Sequence, residues 1–118
     1  MPDATTYTLN TNEIYNELEK RAEEKAEKRF VFIRSEKYEK ILLAKLRTEL
    51  KLAHNDKVSF NQLTDEAMNT DKYKKWLADY SNKAKEYELA KDKYNNFVAF
   101  KDMKITEESS ARYLINKK

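Results

Sequence analysis

The chain has 118 residues, enough for one small domain. It carries 24 basic and 21 acidic residues for a net charge of +3, well short of the concentrated positive charge of a dedicated duplex-DNA binder. With no cysteine, no glycine and only Pro2, it offers no disulfide framework, thiolate metal site or phosphate-cradling glycine loop.

The same composition favours helix. Alanine, leucine, glutamate and lysine are good helix formers, and almost nothing punctuates the chain as hairpins or sandwich turns require. Charged residues make up 38%, a level at which a chain poor in aromatics stays disordered, but eight tyrosines, five phenylalanines and one tryptophan supply core material. No run approaches the ~20 apolar residues of a membrane span, and the first residues lack the pattern of a signal peptide. A cytoplasmic protein without membrane association is expected. The excess of lysine, asparagine and tyrosine suits an AT-rich genome, that of a bacterial virus included.

Residues 1–10 read as a flexible arm, and residues 11–118 as a single helical domain. Asn10 with Glu13, or Thr11, can cap a first helix over 11–54. Ile14, Leu18, Ala22, Ala26 and Phe30 then recur every four residues. The run Phe30, Val31, Phe32, Ile33 covers every side of a helix, which implies burial on several sides or a break near 30–35, with Ser35 as a new cap. A second four-residue series, Tyr38, Leu42, Leu46, Leu50 and Ala53, leads to His54 and a turn at Asn55-Asp56.

Ser59 and Gln62 form a capping-box pattern flanked by Val58 and Leu63 in staple positions, which opens a short helix over 60–68 with acids in its first turn. Asn69 or Thr70 caps the next helix, expected over 71–102. Thr106 is expected to start a last one over 107–115. In the third helix Tyr73, Tyr80, Tyr87 and Tyr94 return every seven residues. Trp76, Ala90 and Phe97 follow at +3, and Leu77, Ala84 and Val98 at +4. A seven-residue return keeps one seam turned to a partner.

These elements predict an all-α fold: an elongated helical hairpin or small bundle with coiled-coil-like packing. The tyrosine seam is long enough to call for a further layer, so completion by a homodimer is expected, with a monomeric three-helix or four-helix bundle as the alternative.

Chemistry is sparse. His54 is the single histidine, a helix-end residue able to pair with Asp56. Acids at four-residue spacing, such as Glu13–Glu17 and Glu19–Glu23, are interleaved with Lys20, Lys25 and Lys28 and lack the Glu-x-x-His segments of di-metal bundles. The expectation is therefore no enzyme, no metal and no small-molecule cofactor. Phe30, Phe32, Trp76 and Phe97 are candidate anchors of a protein interface. Lys37, Lys40, Arg47 and Lys51 share one side of the first helix and are candidates for nucleic-acid contact, with Arg34 extending the track. Glu36, Glu39 and Glu49 dilute that field. Lys91, on the tyrosine seam, should either extend to solvent or meet an acid such as Glu39 or Asp92. The leading functional reading is a helical protein that binds or masks a protein partner or assembles with itself. The second is a nucleic-acid accessory factor that binds single strands or backbone.

Overall fold

The computed structural model describes residues 10–116, and side-chain surroundings up to residue 111. Three α-helices follow in order: α1 (Thr11–Ala53), α2 (Phe60–Met68) and α3 (Asp71–Asn116). The fold is all-helical. The expected arm lies outside the described residues save for Asn10. No helix among the described residues is long and apolar enough to cross a membrane.

Local chemistry starts each helix. Asn10 Oδ1 accepts from the Glu13 backbone N–H at 2.9 Å, and Asn10 Nδ2 donates back to Glu13 Oε1 at 2.9 Å. Ser59 Oγ accepts from Gln62 N at 3.2 Å. The Gln62 side chain does not return the bond; it donates to Glu66 Oε1 at 3.3 Å. Thr70 Oγ1 accepts from Tyr73 N at 3.2 Å and opens α3, while Asn69 closes α2. Between α1 and α2 the chain reverses through Asn55 and Asp56 at φ 54° and 62°, the left-handed region these two residue types tolerate best after glycine.

Three expectations about the helices are corrected. α1 runs unbroken through 30–35, and Ser35 is no cap but a buried residue in mid-helix. α3 continues through 102–106 to Asn116, because no glycine or proline interrupts it. Thr106 instead donates its hydroxyl to Asp102 O at 2.9 Å, one turn back along the same helix. The first turn of α2 holds no acid; Asp65 and Glu66 come later.

The described chain divides into two compact units, one joining the residues up to Glu27 with those from Glu88 onward, the other comprising Lys28–Tyr87. In the second unit the later part of α1 and the start of α3 run antiparallel, with α2 at their connection. Its core is Leu42, Leu43, Leu46, Ala67 and Tyr73, with Leu50 and Trp76 packed against it. Each buried leucine is worth about 1.5–3 kcal/mol of apolar transfer. In the first unit Ile14, Phe97 and Phe100 form the core, with Leu18 against them.

The buried line of α1 differs from the expected four-residue series. Steps of four advance about 400° and so drift about 40° each time around the helix. After four steps from Ile14 the series reaches Phe30, about 160° away, and Phe30 is 65% exposed. The inward line instead alternates steps of four and three. It runs Ile14, Leu18, Arg21, Lys25 in the first unit and Lys28, Phe32, Ser35, Glu39, Leu42, Leu46 in the second, all buried or half-buried.

On α3 the tyrosines do face inward, and the +3 positions are the better covered companions. Ala90 and Phe97 are buried and Trp76 half-buried, whereas Leu77 is exposed. Within each unit this line is packed on α1, so covering it does not require a second copy of the chain.

Candidate functional site

The two groups of candidate residues separate once their surroundings are known. Among the aromatic candidates, Phe97 is fully buried, with the Arg21 guanidinium 4.6 Å from its ring centroid. Phe32 is stacked on both Tyr80 and Tyr87, at centroid distances of 5.3 and 5.7 Å. Trp76 stacks on Tyr80 at 5.1 Å and donates from Nε1 to the Ser35 carbonyl at 3.0 Å. A small side chain at Ser35 leaves room for the indole to reach that carbonyl. These three rings are engaged inside their units. Phe97 is thereby removed from any surface, because its heptad position turns it into the core. Phe30 alone of the four projects outward.

The inward line of α1 is unusually polar, and α3 answers it with rings. Besides Arg21 over Phe97, Lys25 Nζ lies 4.5 Å from the Tyr94 ring centroid. Cations over aromatic faces gain electrostatic attraction while their methylene stems pack as hydrophobic material. Arg21 also bonds Glu17 at 2.8 Å and the Lys93 carbonyl at 3.3 Å. In the second unit Lys28 pairs with Glu86 at 3.4 Å. Tyr73 donates its hydroxyl to Glu39 Oε2 at 2.8 Å. Burial, then the bond to the Glu39 carboxylate, raises the Tyr73 phenol above its ordinary pKa. Lys91 pairs with Glu88 at 3.8 Å, one turn back on the same helix, rather than with Glu39 or Asp92; Glu39 meets α3 at Tyr73, eighteen residues earlier.

His54 also finds a different partner from the expected Asp56. Its Nε2 is 2.8 Å from Glu66 Oε2 on α2, because the left-handed turn at 55–56 folds α2 back beside the end of α1. The bond from His54, followed by that from Gln62, holds the Glu66 carboxyl below its ordinary value. A carboxyl whose folded pKa is lowered contributes stability that is present above the unfolded value and lost as pH falls through the folded one. His54→Ala should therefore raise the Glu66 titration midpoint, followed by side-chain carboxyl NMR, and flatten the acid-side loss of stability. An unmoved midpoint would show that the imidazole does not hold this carboxylate.

The basic candidates lie in the second unit. Lys37, Lys40 and Lys51 are exposed and take part in no ion pair among the described residues. Arg47 is set apart: it is half-buried, with its guanidinium 4.5 Å from the Phe60 ring centroid on α2. Of the three diluting acids, Glu39 faces inward to Tyr73, and Glu49 reaches Lys72 of α3 at 3.8 Å. Glu36 remains exposed.

Three residues that matter on this face were not singled out from the sequence. Ile41 and Leu52 are exposed by 52% and 71%, and they continue from Phe30 at steps of eleven. Lys45 is exposed beside them. Eleven residues make about 1100°, three turns with a drift of only about 20°, so Phe30, Ile41 and Leu52 form one line along α1. The eleven-residue spacing was available in the sequence, but it was masked by the stronger four-residue series through the leucines.

No protein family, curated protein or solved structure matches the chain.

Proposed function

We propose that the protein is a non-enzymatic interaction protein that occupies or masks a partner protein, and that its working surface is the outward face of α1 between Phe30 and Leu52. The observation that carries this reading is the aligned trio Phe30, Ile41 and Leu52. Three large apolar side chains stand in solvent on one side of a helix whose opposite side is packed by Leu43 and Leu46. Single exposed apolar residues are ordinary on a protein surface, but three on one line of one helix offer a partner helix contacts in register. The alternating three- and four-residue steps of the inward lines support coiled-coil-like packing behind that face.

A second copy of the chain suits the face poorly. Pairing it with itself would oppose lysines to lysines, and like-charge juxtaposition disfavours association. Light scattering at low ionic strength should give the single-chain mass of 14.1 kDa. The native mass of the complex recovered from the protein's source should exceed that value by the mass of a protein partner. Phe30→Ser, Ile41→Ser and Leu52→Ser together should remove the excess while leaving the helical circular dichroism intact. Retention of the partner by the triple variant would refute the assignment of this face.

Lys37, Lys40 and Lys51, exposed and without ion pairs, favour a second reading as a nucleic-acid accessory factor. In that case an oligonucleotide would be recovered. Replacing Lys37, Lys40, Arg47 and Lys51 with glutamine would then weaken both the binding and its salt dependence.

A further inference from the structure

We infer that the partner of this face is an acidic amphipathic helix laid along α1. The inference rests on the reading of the face as a protein-binding surface and adds the chemistry of what it binds.

Between Phe30 and Leu52, the charges within about 40° of the apolar line are all positive. Arg34, Lys37, Lys40, Lys45 and Lys51 are all exposed, and none is in an ion pair among the described residues. At about 100° per residue Arg34, Lys37 and Lys45 lie within about 40° of Ile41, and Lys51 and Lys40 lie about 80° and 100° to one side. The acids of the same segment lie further round the helix than Arg34, Lys37 and Lys45. Glu39 accepts from Tyr73, Glu49 stands at the border about 80° to the other side and reaches towards Lys72, and Glu36 is about 140° from Ile41. Cations unneutralised by their own chain are complementary to a ligand that brings carboxylates or phosphates.

The apolar line decides between these. A phosphate backbone would engage the lysines, but it has no use for Ile41 and Leu52, which present no ring for a base to stack on. A lipid surface requires a broad apolar face set apart from the basic one. Here the three apolar side chains are spread over about 33 Å of helix, with Arg34, Lys37 and Lys45 among them. An amphipathic helix with a leucine stripe bordered by glutamates meets both features. Its leucines cover Phe30, Ile41 and Leu52 and the methylene stems of Arg34, Lys37 and Lys45 between them, whose charged ends reach outward, with Lys40 and Lys51, to carboxylates along the edges. A partner segment of about 22 residues is needed to span the line.

The test uses the full chain and a fluorescent synthetic peptide of about 24 residues, helix-forming, with leucines at alternating steps of four and three flanked by glutamates. Its controls are a scrambled peptide of the same composition, an oligothymidylate of similar length and phosphatidylserine-containing vesicles. The ordered peptide should bind at least about tenfold more tightly than the scrambled one, because scrambling keeps the charge and destroys the stripe. Ile41→Ser with Leu52→Ser should weaken binding by about tenfold or more, as should glutamine at Lys37, Lys40, Lys45 and Lys51. Glutamine at Lys74, Lys75 and Lys85 on α3 should leave it unchanged. Equal binding of ordered and scrambled peptides would overturn the inference. So would tighter binding of oligothymidylate or vesicles that the lysine substitutions abolish, which would assign the face to nucleic acid or lipid. If the ordered peptide fails to bind while the native partner is still lost on substituting Phe30, Ile41 and Leu52, the acidic helix is wrong and the face stands. If the native partner is retained, both fall.

Discussion

Phe97→Ala should lower the free energy of unfolding by about 3–5 kcal/mol, the range for removing a fully buried phenyl ring. The ring has no solvent-accessible surface and packs with Ile14, Leu18 and Phe100. Its removal also takes away the face on which the Arg21 guanidinium rests, leaving that cation with Glu17 and the Lys93 carbonyl alone. Since domains are stable by about 5–15 kcal/mol in total, a loss of this size is a large share of the whole. Phe97→Leu keeps most of the volume and should cost about 1.5 kcal/mol or less. Urea titration followed by circular dichroism measures both. If Phe97→Ala left the midpoint and slope unchanged, the ring would not be part of the core.

Trp76→Ala should cost about 2–4 kcal/mol, somewhat less than a fully buried indole because one edge meets solvent. The indole stacks on Tyr80 and meets Tyr73 at a tilt, at centroid distances of 5.1 and 5.3 Å, and its N–H donates to the Ser35 carbonyl. Trp76→Phe retains a ring for the stack and gives up the hydrogen bond, so about 1 kcal/mol should separate it from the natural protein. The same pair of variants tests the role of the residue. A structural tryptophan lowers the stability of the isolated chain, whereas an interface anchor lowers affinity with stability unchanged. The stability loss is expected. Unaltered denaturation of Trp76→Ala would return this residue to the surface.

The helical class, the caps at Asn10, Ser59 and Thr70, and the reversal at Asn55-Asp56 were legible in the amino-acid sequence because each depends on neighbours within a turn. A side-chain oxygen reaching an N–H three residues on, or a residue tolerant of positive φ, acts wherever the helix happens to pack. The seven-residue return of the tyrosines was legible for a similar reason, since a period states which side of a helix is shared.

Which side of α1 is inside was a tertiary decision. Its inward line includes Arg21, Lys25, Lys28, Ser35 and Glu39, residues that any apolar pattern assigns to solvent. They are held there by groups more than thirty residues away in the chain: the rings of Phe97 and Tyr94, the carboxylate of Glu86, the indole of Trp76 and the hydroxyl of Tyr73. The same choice sets Phe30, Ile41 and Leu52 outward and separates Arg47 from Lys37, Lys40 and Lys51. The break expected at 30–35 failed on the same ground. A run of apolar residues interrupts a helix only if its partners cannot accept it, and here α3 takes Phe32 between Tyr80 and Tyr87 while Phe30 goes to solvent. By itself the sequence determined where the helices start and turn; packing decided which face of each is spent on the fold and which is left for a partner, because burial is a property of two surfaces and one strand of residues describes only one of them.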